Sequence, residues 1–199
     1  NPIRKKLKLF DKYQSKDKLG LDKDKKIIFI LGGSQGSKTI NKHLVENLDF
    51  YTSGNFQFYI QCGQKNKSDF PKEFTNSKDI FITPFIEDIS IIYSACDLVI
   101  SRAGALAITE LCHMGKAMIL IPFSFAADNH QKLNAEEIMS DNACIMIEEK
   151  DLSEGILEKE ISDLMTNKEK LHKLGNSAKK ISYDNANSQI IKHINGVIN

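Results

Sequence analysis

No apolar run in this sequence approaches the ~20 residues that a membrane-crossing helix needs, and no signal peptide is visible at its start. Cysteine is scarce and scattered. Cys62, Cys96, Cys112 and Cys144 fit no zinc-ligand spacing, and three of them sit in apolar stretches where a reduced, buried thiol is the plain reading. A cytosolic protein is therefore expected. An excess of one charge is also missing: 27 Lys and Arg against 26 Asp and Glu leave +1, which gives no general attraction to nucleic acid. Neither an internal repeat nor a low-complexity linker breaks the chain. It opens on Asn-Pro-Ile-Arg with no initiator methionine, which suggests a piece of something longer.

What is present is an ordinary globular composition, 41% hydrophobic and 27% charged over 199 residues, enough for one sizeable core. The near-neutral total hides one asymmetry, because residues 1–26 hold ten Lys and Arg against four Asp. Such a run reads as a solvated surface, or as a contact for anionic lipid headgroups. Within it, residues 10–26 look like a loose connector.

Beyond that segment, short apolar runs alternate with amphipathic ones. Strands are expected at Lys26–Leu31, Gln57–Gln61, Ile80–Thr83, Leu98–Ser101, Met118–Ile121 and Ala143–Ile147. Several are apolar at every position, as strands covered on both faces are. Helices are expected at Ser37–Leu48, Asp88–Ala95, Ala105–Met114, Asp128–Ser140 and most of Ser153–Ile198. In the first of these, Ile40, Leu44 and Leu48 mark one buried stripe. The alternation predicts an α/β fold, a Rossmann-like doubly wound parallel sheet forming one domain with C-terminal helices. Ligands of such sheets bind beyond the carboxyl ends of the strands, so the loops there are where chemistry is sought.

Three loops stand out. Gly32-Gly33-Ser34-Gln35-Gly36 joins a strand to a helix, where glycines admit close approach and helix-start amides favour an anion. It is neither the dinucleotide fingerprint nor an ATP-binding loop, since no Gly-x-Gly-x-x-Gly and no Gly-Lys-Ser/Thr occurs. A tight turn with no ligand is the plain alternative. In the run from Ser101 to Glu110, a small-residue turn opens a helix, and Glu110 reads either as an acceptor for ribose hydroxyls or as a surface residue. In the run from Pro122 to Gln131, Asp128 and Gln131 fit a capping box, or else Asp128, His130 and Gln131 converge on a polyhydroxylated ligand. No Ser/His/Asp or Cys/His arrangement and no spaced carboxylate pair can be assembled, and His43, His172 and His193 are expected on polar helix faces. The residues alone point to a nucleotide or nucleotide-sugar site without an evident catalytic base.

At these loops the sequence resembles the MurG family of bacterial glycosyltransferases. The likeness runs through NPIR, GGSQGS, PFIEDI, SRAGALAITEL, GKAMILIPF and ADNHQKLNA in family order. The family transfers N-acetylglucosamine from its UDP donor to lipid I, giving lipid II for peptidoglycan, and has the two-domain GT-B architecture. The resemblance implies that this chain is the C-terminal, donor-binding half. It implies that Gly33, Ser34, Gln35 and Gly36 meet the UDP diphosphate, with Arg4 nearby. Ile86 would take the uracil by backbone contacts beside Phe85, and Ala103, Gly104, Ala105 and Leu106 would line the diphosphate. Glu110 would take the ribose hydroxyls, and His130 and Gln131 the sugar hydroxyls. It implies no cofactor and no metal. It also implies a lipid I acceptor held by an N-terminal half, and peripheral residence on the inner face of the bacterial membrane. A non-catalytic donor-binding subunit with a separate membrane partner, and a nucleotide-sugar epimerase, are the competing readings.

Overall fold

The computed structural model describes residues 7–33 and 35–182. Among these, six strands form one parallel sheet: β1 (Ile27–Leu31), β2 (Gln57–Gln61), β3 (Ile80–Thr83), β4 (Leu98–Ser101), β5 (Ala117–Leu120) and β6 (Ile145–Met146). Their order is β3-β2-β1-β4-β5-β6, so the winding reverses between β1 and β4. The helices are α1 (Lys12–Lys18), α2 (Lys38–Glu46), α3 (Leu48–Thr52), α4 (Lys72–Thr75), α5 (Ile89–Ala95), α6 (Ala105–His113), α7 (His130–Ser140), α8 (Ile156–Thr166) and α9 (Lys168–Lys180). None is long and apolar enough to cross a membrane among the described residues.

Side chains alternate across each strand, and the core divides accordingly. Ile28, Ile30, Phe58, Ile60 and Ile100 face one layer, where Ile40 and Leu44 of α2, Tyr51 of α3 and Leu157 and Ile161 of α8 cover them. Ile27, Phe29, Val99 and Met118 face the other, under Ile92 and Tyr93 of α5, Leu111 of α6 and Ala135 of α7. Burial on both faces explains why β1 and β4 carry no polar position before Ser101. All four cysteines are buried and unpaired, and burial pushes the Cys96 and Cys112 thiols up to about 11 and that of Cys144 to about 12.

Three expectations are corrected. The supposed connector at 10–26 contains α1, whose N-cap Asp11 accepts from Gln14 N at 2.9 Å and which lies on α5. Its buried face is polar, Ser15 and Lys16, so no apolar stripe announces it. The basic run is, in its described part, largely engaged. Lys16, only 3% exposed, donates to Lys23 O and Lys25 O at 2.9 and 2.6 Å; Lys25 pairs with Asp79 at 2.7 Å; Lys12 pairs with Asp97; and Lys26 reaches Met165 O. Secondly, the helix expected over Ser37–Leu48 breaks at Asn47, whose side-chain amide donates to His43 O at 2.9 Å and competes with the helix ladder.

Thirdly, His43 lies inside rather than on a polar face, whereas His172 is exposed as expected; His193 lies outside the described residues. His43 Nε2 meets Glu158 Oε1 at 2.8 Å, and the buried Tyr51 hydroxyl donates to the same oxygen at 2.7 Å, so one carboxylate of α8 ties down α2 and α3. Burial pushes the Glu158 carboxyl up, but the bonds from His43 and Tyr51 outweigh it and hold it below the usual range. Its contribution is therefore complete above the ordinary glutamate range and is lost as pH falls through the lowered folded value. Replacing Glu158 with Ala leaves both partners unsatisfied, and a denaturant titration is expected to show a loss of about 3 kcal/mol.

Candidate functional site

The carboxyl ends of five strands lie on one register line: Leu31 pairs with Gln61 and with Ser101, Gln61 with Thr83, and Ser101 with Leu120. Loops expected to meet a ligand thus leave the sheet side by side. From the loop after β3 to the loop after β5 is roughly 19 Å at about 4.8 Å per strand. The loops after β1 and β4 flank the winding reversal itself.

The glycine-rich loop after β1 is built against its neighbour. A Cβ on Gly36 would sit 1.9 Å from Cys62 O, and the residue has φ +73°. Asn66 Nδ2 donates to Gln35 O at 3.2 Å and to Cys62 O at 2.8 Å, and Gln61 Nε2 donates to Gly33 O at 3.3 Å. Gly33 differs: its φ is +77°, yet a Cβ there would meet nothing within 4 Å, so its backbone faces open space. Gly36 is thus required by packing, whereas Gly33 is open to an incoming group. Gly36→Ala is expected to cost about 3 kcal/mol or more in a denaturant titration, since backbone, not a flexible side chain, blocks the added methyl. Ser34 and Arg4 lie outside the described residues.

The turn after β4 opens α6 at Gly104, which offers no side-chain cap, and the first amide bonded back into the helix is Ile108 N to Gly104 O. The N–H groups of the first turn therefore point outward with the positive end of the helix dipole. Ala105 and Leu106 are exposed around this opening, and Ala103 is buried beneath it. Glu110 is not a surface residue: it is 5% exposed and engaged within the protein.

The loop after β5 does not form the capping box that Asp128 and Gln131 suggest. Asp128 and Asn129 both take positive φ, 49° and 52°, and the α7 start has no side-chain cap. Two consecutive non-glycine residues in the left-handed region carry strain of a kind that clusters at ligand sites. Gln131 Oε1 instead accepts from Phe123 N at 3.0 Å, which turns its amide nitrogen, with two donors, away from that contact. His130 Nδ1 meets Ala127 O at 2.7 Å; a carbonyl only accepts, so Nδ1 carries the proton and Nε2 of the neutral ring is an acceptor. At the other end of the line, Thr83 Oγ1 donates to Phe85 O at 2.8 Å, shaping the turn beside exposed Phe85. Among the described residues, the backbone N–H and C=O of Ile86 take no protein partner.

Residues missed from sequence are chiefly the braces. Asn66 and Gln61 lie in unremarkable contexts, Asn134 joins α7 to the β4 turn by donating to Ala103 O at 3.1 Å, and Glu149 binds Arg102. Arg102 and Asn134 stood inside conspicuous motifs, SRAGALAITEL and ADNHQKLNA, whereas Gln61, Asn66 and Glu149 did not. No group of three or more His, Cys, Asp or Glu is placed to hold a metal among the described residues.

A sheet wound in this order, with its glycine turn and open helix start at the reversal, is one Rossmann-like half of the GT-B class of glycosyltransferases. The chain belongs to glycosyltransferase family 28, whose C-terminal domain matches residues 27–193. It is 34% identical over 98% of its length to the UDP-N-acetylglucosamine–N-acetylmuramyl-(pentapeptide) pyrophosphoryl-undecaprenol N-acetylglucosamine transferase of Flavobacterium psychrophilum, covering 53% of that protein. With the transferase of the same name from Thermodesulfovibrio yellowstonii it shares 38% identity over 84% of its length and 47% of the relative's. Among solved structures, MurG of Acinetobacter baumannii superposes with a TM-score of 0.76 at 28% identity, over 96% of this chain and 54% of that one. A UDP-GlcNAc 2-epimerase from Neisseria meningitidis shares the fold alone, at a TM-score of 0.64 and 13% identity over 91% of this chain and 48% of that one. The chain spans about half the length of the curated relatives it matches.

Proposed function

We propose that this chain binds UDP-N-acetylglucosamine as the donor half of an inverting glycosyltransferase that extends lipid I to lipid II. The observation that carries the reading is the single register line, beyond which lie an Ile86 backbone without a protein partner among the described residues, the Gly33 and Gly104 backbones, where a Cβ would meet nothing within 4 Å, and the His130–Gln131 pair. Uracil lies against the Ile86 backbone, with Phe85 beside it. The diphosphate meets the glycine loop, including Ser34, and the uncapped start of α6, whose dipole stabilises charge as the leaving group departs. Glu110 holds the ribose hydroxyls, while His130 Nε2 and the Gln131 amide hold the sugar. Arg4 adds a cation near the diphosphate. Glycosyl transfer also needs a base for the acceptor hydroxyl, and in the whole protein that base and the lipid I site belong to the N-terminal half. Residence on the inner face of the membrane follows from that acceptor.

Amide chemical shifts on addition of UDP test the placement. Shifts are expected at 32–36, 84–86 and 103–106, and further shifts at 123–131 only when the sugar is present; perturbation confined to other surfaces contradicts it. Gly104→Ala is a milder probe than Gly36→Ala. A Cβ there meets nothing within 4 Å, so stability is expected to change by about 1 kcal/mol or less, while the methyl projects into the diphosphate space and UDP affinity falls.

A further inference from the structure

We propose that Arg102 and Glu149 are positioning residues: a buried latch that fixes the 122–131 loop against the 102–106 turn, on which recognition of the sugar depends and recognition of the nucleotide does not. The inference rests on the nucleotide-sugar reading above and adds to it a role for two residues outside the contact set.

A cation at a diphosphate turn invites assignment as a phosphate ligand, but the geometry of Arg102 points elsewhere. Its side chain is 15% exposed. One terminal nitrogen, Nη1, donates to Ile121 O at 3.1 Å and Pro122 O at 3.3 Å, and the other, Nη2, donates to Glu149 Oε1 at 2.5 Å. The Phe123 ring lies over the guanidinium, 5.3 Å from it. Nη1 and one face of the plane are thus committed to the loop after β5, and Nη2 to Glu149, beyond β6. Glu149, 10% exposed, completes the latch from the far side by accepting from Ser124 N at 2.9 Å through Oε2. Four successive loop residues, Ile121 to Ser124, are thus held by one ion pair. The same segment presents Phe123 N to Gln131 Oε1, so the latch sets the orientation of the amide that faces the sugar.

Charge on the latch is durable. Burial pushes the Glu149 carboxyl up, but hydrogen bonds from Ser124 and Arg102 outweigh it and bring it down to about 2. A buried, multiply bonded Arg–carboxylate pair is weak evidence for stability but suits the fixing of one geometry, because removing either partner leaves the other unmatched. Arg suits the place because its planar fork holds two separate nitrogens in fixed directions, one toward two carbonyls and one toward a carboxylate, whereas the three donors of a Lys ammonium radiate from a single nitrogen.

The test is calorimetric titration of the whole chain and of Arg102→Lys, Glu149→Gln and the double variant with UDP and with UDP-N-acetylglucosamine, alongside thermal melts. Each single variant is expected to lose about tenfold in affinity for the UDP sugar and less than twofold for UDP. The double variant is expected to lose no more than the weaker single, as members of one unit do. Equal loss for both ligands in a folded variant overturns the proposal, since it makes Arg102 a phosphate contact; so does unchanged affinity for both. Should Arg102→Lys fail to fold, Glu149→Gln decides alone, because Gln keeps the shape and one acceptor. Failure of the unmodified chain to bind either ligand would instead remove the nucleotide-sugar reading itself.

Discussion

Gln131→Ala is expected to lower affinity for UDP-N-acetylglucosamine by about 100-fold and affinity for UDP by less than about threefold. The size follows from a site whose polar groups are matched to particular hydroxyls: when the match is broken, buried donors are left unpaired, and discrimination of ~10⁴-fold is attainable in full sites. Gln131 contributes through two links. Its carbonyl oxygen is held by Phe123 N at 3.0 Å, which orients the amide, and its nitrogen then supplies donors. Truncation removes both the contact and the anchor of the loop, so its effect exceeds that of the latch variants. Competition binding with the two ligands measures it. Equal losses for UDP and the UDP sugar would show that Gln131 merely supports the fold.

Glu110→Ala is expected to weaken UDP itself by about 10- to 100-fold, the range of 1.5–3 kcal/mol for a hydrogen bond to a charged group. Because Glu110 is 5% exposed and engaged within the protein, loss of affinity alone would not separate a ligand contact from an internal brace. The 2′-deoxy nucleotide does separate them. The unmodified chain should prefer UDP to 2′-deoxy-UDP, and Glu110→Ala should erase that preference. A variant that binds both more weakly but keeps the preference assigns Glu110 to structure only.

The fold was legible wherever burial on both sheet faces leaves an unbroken apolar run. β1 ends with its run at Leu31, and β2, β3 and β4 end one residue past theirs, at Gln61, Thr83 and Ser101, because the next residues must turn. β5 shifts by one residue, to Ala117–Leu120, and β6 shortens to Ile145–Met146 at the sheet edge, where it pairs only with β5. α1 was illegible for a physical reason: it is anchored by Lys16 donating to two carbonyls and by Lys12 on Asp97, and polar anchors leave no periodicity. His43 misled similarly, since its partner Glu158 is 115 residues away and nothing local announces the pair. At the site, glycines and small residues marked the loops, but not which glycine serves the ligand. Gly33 and Gly36 look alike in sequence, and only the Cys62 carbonyl beside Gly36 tells them apart. The capping-box reading of Asp128 and Gln131 failed because the positive φ at Asp128 and Asn129 depends on the loop's tertiary anchors, not on the local pattern.

The donor assignment is tested most directly by titrating this chain calorimetrically with UDP-N-acetylglucosamine, UDP-glucose and NAD. Saturable binding of UDP-N-acetylglucosamine at one site, weaker binding of UDP-glucose and none of NAD is the predicted result. Binding of NAD without binding of either UDP sugar would contradict the account.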